Sequence, residues 1–196
     1  MSKSPPLAWY DQLPVGEAGV DEAGRGCLAG PVVAAAVMLH PGQQIIGLND
    51  SKQLKPAERA ALAEIIKRQA TAWAIAEASV EEIGKLNILQ ASLLAMRRAV
   101  ESLPLKPELL LIDGNRFAPM LGYAHVCHIK GDGRFASIAA ASILAKTARD
   151  ARMAELATLY PMYGWERHFG YPTKAHRAAI AQHGPSPWHR PGFKLL

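Results

Sequence analysis

The stretch VDEAGRGCLAGPV, from Val20 to Val32, sets Asp21 beside Glu22 and follows them with Gly24-Arg25-Gly26. Acids at the end of an apolar run are costly to bury, and glycines weaken strands. Both costs in one place point to a site. Two further acids end or precede apolar elements: Asp113 closes LLLID, and Asp132 stands in KGDGR ahead of an alanine-rich stretch. Carboxylate oxygens suit hard ions such as Mg²⁺ or Mn²⁺. Two such ions, about 3.5–4 Å apart, activate water and stabilise the leaving oxygen in phosphodiester cleavage. Taken singly, some of these acids have structural explanations. Asp113-Gly114-Asn115 is an ordinary turn sequence, and Asp132 suits a helix entry favoured by the dipole. Asp21 and Glu22 carry a geometric demand, because neighbouring strand residues point to opposite faces. They share a site only if the strand bends or ends there, which Gly24 and Gly26 permit. Alternatively, Glu22 binds metal through its backbone carbonyl.

Gly24-Arg25-Gly26 lets a backbone approach a ligand closely, since no Cβ intervenes at the glycines. Its amides and carbonyls suit a sugar hydroxyl and Arg25 suits a phosphate; a tight turn explains the same residues. YGWERHFGYPTKAHR (163–177) interleaves Tyr163, Trp165, Phe169 and Tyr171 with Arg167, His168, Lys174 and Arg177. That mixture reads either as a platform for bases, sugars and phosphates or as a satellite core with a charged rim. His125 and His128, three apart on an expected strand, are poorly spaced as ligands and read as structural.

The elements that must position these residues follow from apolar spacing. Short strands are expected at 16–22, 31–39 (PVVAAAVML), 71–80 (alternating around Trp73, Ile75 and Val80), 108–113 and 123–129. A helix is expected from Pro56, with Leu62, Ile65 and Ile66 as its stripe. Another is expected over Glu81 to Ser102, with Ile83, Leu86, Leu89, Leu93, Leu94 and Val100 inward. SIAAASILAKTARDARMAEL (137–156) lacks Gly and Pro and reads as a strong helix. A final helix is expected over 173–184, closed by Gly184 and Pro185. Asn49, Asp50 and Ser51 read as a turn, and residues 1–15, with Pro5, Pro6 and Pro14, as a frayed arm. The fold class is α/β: a mixed central sheet flanked by helices, one domain over 1–196, with a helical, aromatic-rich extension from about residue 157.

Composition narrows the partners. The chain has 196 residues, 49% hydrophobic and 20% charged, enough for one domain with a substantial core. The apolar runs are too short to span a bilayer, and MSKSPPLAWYDQLP lacks the apolar stretch of a signal peptide. Cys27 and Cys127 form no CxxC pair and read as buried small hydrophobes in a reducing cytoplasm. The net charge of +5 is uneven: residues 130–196 hold 10 Lys and Arg against 4 Asp and Glu, while the remainder holds 12 against 13. A basic C-terminal third favours a polyanion, nucleic acid being the commonest. No apolar seam stands out, so a monomer is expected.

Assembled in order, these residues make the chain resemble the bacterial ribonuclease HII family of type 2 ribonucleases H. The resemblance is carried by DEAGRG with LAGPV behind it, LNDSKQL (48–54), LLIDG (110–114), KGDGRFASIAAASILAKTARD (130–150), FGYPTKAH (169–176) and GPSPWHR (184–190). It covers nearly the whole length. It implies a ribonuclease H-like fold with a C-terminal helical extension. It also implies a Mg²⁺- or Mn²⁺-dependent endonuclease that cuts 5′ to ribonucleotides in RNA–DNA hybrids or in DNA duplexes with embedded ribonucleotides, leaving 3′-hydroxyl and 5′-phosphate ends. By motif, Asp21, Glu22, Asp113 and Asp132 would be the catalytic, metal-binding acids. Gly24, Arg25 and Gly26 would contact the ribose 2′-hydroxyl, and Tyr171 would stack on the adjoining deoxyribose. One departure stands out: the family usually has Pro after GRG, and Cys27 stands there, which is expected to loosen the loop slightly. The related ribonuclease HIII type carries an extra N-terminal domain, whereas about 15 residues precede the first expected strand here. The competing readings are another nuclease of this fold acting on DNA, and a non-catalytic nucleic-acid binder. The sequence leaves open whether the C-terminal tail contacts a replication clamp.

Overall fold

The computed structural model of the chain describes residues 16–49, 51, 53–117, 119–120 and 122–196. The arm expected at 1–15, and Asp50 of the expected turn, lie outside the described residues. Five strands form one mixed sheet: β1 (Glu17–Ala23), β2 (Val32–Met38), β3 (Ala72–Ala78), β4 (Leu109–Asp113) and β5 (Ala124–His128), in the spatial order β3-β2-β1-β4-β5. The β1–β2 and β2–β3 pairs are antiparallel, whereas β1–β4 and β4–β5 are parallel. The helices are α1 (Pro56–Gln69), α2 (Val80–Leu86), α3 (Ile88–Glu101), α4 (Ala136–Leu159), α5 (Trp165–His168) and α6 (Lys174–His183).

The sheet is covered on both faces, as its small, apolar central strands require. On one face Ala18 and Val20 of β1 and Leu110 and Ile112 of β4 pack with Ala91, Ala95 and Ala99 of α3. On the other, Ala35 and Val37 of β2 pack with Leu62 and Ile66 of α1 and with Ala140 and Ile143 of α4. Helix α4 crosses β1 at very close range: a Cβ on Gly19 would collide with the backbone of Ser137 and Ile138. That approach carries Ser137 onto the buried Glu17 carboxylate, at 2.9 Å.

One expectation is corrected. The single helix expected over 81–102 is two, α2 and α3, broken at Asn87, whose φ of 69° cannot continue a helix. Asn87 instead caps α3, accepting from the Gln90 amide at 3.1 Å. The inward face is accordingly built from Ala91, Ala95, Met96, Ala99 and Val100, with Leu93 and Leu94 only partly buried and Leu86 exposed. In β3, Ala72, Ala74 and Ala78 are the buried residues, while Ile75 packs partly buried against the opposite core of α1 and α4. A period of two leaves either face eligible, and the small residues win because α3 packs close to the sheet there. Trp73 stays at the rim, donating to the Lys67 carbonyl at 3.1 Å.

The extension after α4 forms a satellite core. Trp165 is fully buried, stacked on Tyr163 at 5.0 Å between ring centres, with Leu28, Met153, Leu156 and Ile180 around it. The packing reading of this aromatic stretch therefore holds for most of its residues. His125 and His128 also pack, against Phe117 at 5.4 Å and Phe135 at 4.4 Å. Both cysteines are free. Among the described residues no helix is long and apolar enough to cross a membrane.

Candidate active site

The parallel pairing of β1 with β4 sets Val20 opposite Ile112. The next rung beyond that register belongs to Asp21 and Asp113, at the carboxyl ends of adjacent parallel strands, where open α/β sheets place their ligand crevices. A cleft of about 200 Å³ opens there, lined by Asp21, Glu22, Gly24, Arg25, Gly26, Asp113 and Tyr171, together with Ser51, Ser142 and Lys146. Glu22 reaches the same cleft as Asp21 because β1 ends at Ala23 and the chain reverses through Gly24, at φ 98°. The strand end thus meets the geometric demand raised by two adjacent acids.

These carboxylates repel one another in a dry setting. Asp21 is buried, and its carboxyl is held well above the usual carboxylate range, first by burial and then by the charges of Glu22 and Asp113. Glu22 is also raised by burial, against the opposing pull of Arg25, which pairs with it at 3.1 Å. Asp21 is oriented by the Glu22 amide, which donates to Oδ1 at 2.7 Å, and the nearby Ser142 hydroxyl opposes the rise of its pKa. Ser142 is itself tied to Ser51, Oγ to Oγ at 2.8 Å. Asp113 Oδ1 accepts from the Gly131 amide at 2.7 Å. Lys146 is paired with Asp150 at 2.6 Å and lies over the rings of Phe169 and Tyr171, at 5.0 and 5.4 Å.

Asp132 is buried in the 3₁₀ turn Gly131–Gly133 and does not line the cleft. It follows directly on the amide that holds Asp113. Among the described residues no group of three or more His, Cys, Asp or Glu side chains is set to hold a metal ion as it stands. The donor chemistry nonetheless fits a hard divalent cation. Asp21, Glu22 and Asp113 supply only oxygen, and their mutual repulsion is what such a charge relieves. The sequence reading missed Ser51, Ser142 and Lys146. All three lie inside quoted motif blocks, but a hydroxyl or an amine in a helical run carries no local sign of the cleft it faces.

Cys27 directly follows the Gly24–Gly26 loop. Its amide donates to the Gly24 carbonyl at 3.3 Å and its carbonyl accepts from Arg190 at 2.9 Å. Proline has no amide to make the first bond, so the loop is tied by hydrogen bonds where a ring would have stiffened it.

The family model described as Ribonuclease HII matches residues 18–196. The chain belongs to the ribonuclease HII family. A ribonuclease HII from Dechloromonas aromatica is 62% identical over 182 residues, 92% of each chain. One from Bacteroides fragilis is 57% identical over 190 residues, 97% of this chain and 94% of that one. Among solved structures, the ribonuclease H2 from Pyrococcus horikoshii OT3 superposes with a TM-score of 0.77 at 26% identity, over 92% of this chain and 95% of that one. The ribonuclease HII in a complex with PCNA from Archaeoglobus fulgidus does so with a TM-score of 0.75 at 26% identity, over 89% and 91%. Membership in the ribonuclease HII family makes this chain a ribonuclease H endonuclease, and the fold is the ribonuclease H-like α/β sheet expected from the motifs.

Proposed function

We propose that this ribonuclease HII cuts the phosphodiester bond on the 5′ side of a ribonucleotide, in RNA–DNA hybrids and in DNA duplexes with embedded ribonucleotides, leaving 3′-hydroxyl and 5′-phosphate ends. The observation that carries the reading is the meeting of Asp21, Glu22 and Asp113 with the Gly24–Gly26 loop in one cleft. Mg²⁺ or Mn²⁺, when bound, supplies an activated water and neutralises charge at the phosphate. Asp21, Glu22 and Asp113 would hold it, with Asp132 as the fourth acid on its place beside the Asp113-binding amide.

The chain's own residues then do the selecting. RNA differs from DNA at the 2′-hydroxyl, so a reader must contact that group. Gly26 has no heavy atom within 4 Å of where its Cβ would stand, which leaves room for a sugar against bare backbone. Arg25, half exposed, is free to turn from Glu22 toward a phosphate. Tyr171 is 40% exposed at the cleft and presents its ring to the adjoining deoxyribose. The enzyme acts as a cytoplasmic monomer, and its basic C-terminal third favours the duplex polyanion.

The test is one gel: a DNA duplex with a single internal ribonucleotide and its all-DNA twin, each with and without Mg²⁺. Cleavage is expected only of the first and only with Mg²⁺. Asp113→Asn should lower that cleavage by more than about 100-fold, beyond the 10–100-fold typical of residues that merely support metal ligands, while duplex binding survives. Equal cutting of the all-DNA duplex would favour a DNA nuclease. Binding indifferent to Mg²⁺, with no cutting, would favour a simple binder.

A further inference from the structure

Two guanidinium groups lie inside the molecule with no carboxylate partner among the described residues. Arg149 on α4 is 0% exposed and Arg190, in the tail after α6, is 1% exposed. Among the described residues neither makes an ion pair with an acid, and their hydrogen bonds all go to main-chain carbonyls. Arg149 donates from Nε to Pro31 at 3.1 Å, from Nη2 to Ala29 at 3.0 Å and from Nη1 to Phe169 at 2.9 Å. Arg190 donates from Nε to Gly30 at 2.8 Å, from Nη1 to Cys27 at 2.9 Å and to Arg25 at 3.1 Å, and from Nη2 to Pro31 at 3.1 Å. Six of these seven bonds end on the segment 25–31, which follows Gly24 directly.

Burying a charge without a counter-charge is expensive, and stability alone is better served by an apolar side chain of similar volume. The segment 25–31 has no ladder of its own to satisfy its carbonyls. It enters β2 only at Val32. A guanidinium offers several N–H donors in a rigid plane, so one side chain fixes several carbonyls at once. The main chain of the C-terminal extension adds to the hold: Arg190 N–H donates to Leu28 at 2.8 Å, Gly30 N–H to Trp188 at 2.9 Å, and Leu28 N–H to Gly170 at 2.8 Å. Arg149 also fills the space a Cβ on Gly24 would need.

We infer that Arg149 and Arg190 are positioning residues for ribonucleotide recognition: their buried guanidinium groups set the backbone of the Gly24–Gly26 loop at the cleft, so that a C-terminal tail remote in sequence governs which sugar the cleft accepts. The inference rests on the reading of that loop as the ribose contact.

The experiment compares Arg149→Lys, Arg190→Lys and Gly26→Ala with the unaltered enzyme on the duplex carrying one ribonucleotide. It reads kcat, KM and amide hydrogen exchange. Lysine keeps the charge but not the planar set of donors. Each lysine variant should lower kcat by about 10–100-fold, the scale of an ångström's misplacement, with KM little changed. Exchange should quicken over residues 24–31 and stay as it was in α3. Arg190→Ala should regain part of its kcat in tens of millimolar guanidinium and none in methylammonium. Impaired Gly26→Ala beside lysine variants with unchanged kcat overturns the inference alone. Unimpaired Gly26→Ala overturns the loop reading and the inference with it. If Arg190→Lys fails to fold, Arg149→Lys decides; failure of both to fold assigns the pair to stability and overturns the proposal.

Discussion

Gly24 and Gly26 share a motif and differ in what they meet. Gly24 sits at φ 98°, where an L side chain is strained, and a Cβ there would strike Arg149. Gly26 faces open space. The protein itself therefore demands the first glycine, and only a ligand would demand the second. Gly24→Ala should destabilise the fold by about 2 kcal/mol or more, the cost of a strained positive φ plus a clash. Gly26→Ala should stay within about 0.5 kcal/mol of the parent, as open-surface substitutions do, and still lose most cleavage at a ribonucleotide. Thermal melts paired with the cleavage gel check both; full activity in Gly26→Ala would remove the ribose contact from that residue. The glycines were legible in the sequence because each breaks a local rule. Their different reasons were not, since one of them is an arginine 125 positions away along the chain.

Between α5, α6 and the tail, two buried histidines form a hydrogen-bonded relay, and a third, half-buried, stacks beside it. Trp165 Nε1 donates to His176 Nε2 at 3.0 Å, which makes that nitrogen an acceptor and leaves His176 Nδ1–H to donate to the Tyr171 carbonyl at 3.0 Å. The Ser186 amide donates to His189 Nδ1 at 2.9 Å, so His189 Nε2–H points at His176 Nε2, 3.1 Å away. His168 stacks on His176 at 4.6 Å, with Glu166 and Arg167 as the charged groups acting on it. Burial is the chief reason that the His176 pKa is pushed down to about 4, with His168 and His189 lowered as well. These rings are neutral in the fold and charge more readily in the unfolded chain, near pH 6.5. Their contribution is fully present above that value and is lost as pH falls from 6.5 toward 4. Melting temperature should therefore drop across that window, and His176→Asn should flatten the drop; an unchanged pH slope in the variant would exclude His176 as its source. The histidines were visible in YGWERHFGYPTKAHR and GPSPWHR, but the sequence could not pair them, because the bonds join separate elements. The helix over 81–102 failed for a related reason. Leucine spacing showed a stripe, yet the break at Asn87 follows from its left-handed φ and its cap on Gln90.

At the scale of the whole molecule, folding gathers like charges that the unfolded chain keeps apart. Asp21, Glu22 and Asp113 meet in one cleft, and Asp21 is buried there against both neighbours. In EDTA, Asp21→Asn should raise the melting temperature, by about 2–4 °C for each kcal/mol of repulsion relieved in a chain of this size. Millimolar Mg²⁺ should stabilise the parent enzyme by binding only the folded form, and the variant should lose that response. Scanning calorimetry of both proteins with and without Mg²⁺ checks it, and a lower melting temperature for Asp21→Asn in EDTA would contradict the charge argument. The sequence by itself determined the residue types of the site, the strand and helix segments that carry them, and the family. Each of these rests on rules that act over a few residues: an acid ending an apolar run, a period of two or near four, a glycine where a strand should not have one. Only the tertiary structure decided that Asp132 stands behind Asp113 outside the cleft lining, that alanines take the buried face of β3, and that Arg149 and Arg190 hold the loop. The last of these depends on side chains meeting main-chain carbonyls across separations of 118 to 165 residues, and a carbonyl, present at every residue, leaves no mark in a sequence.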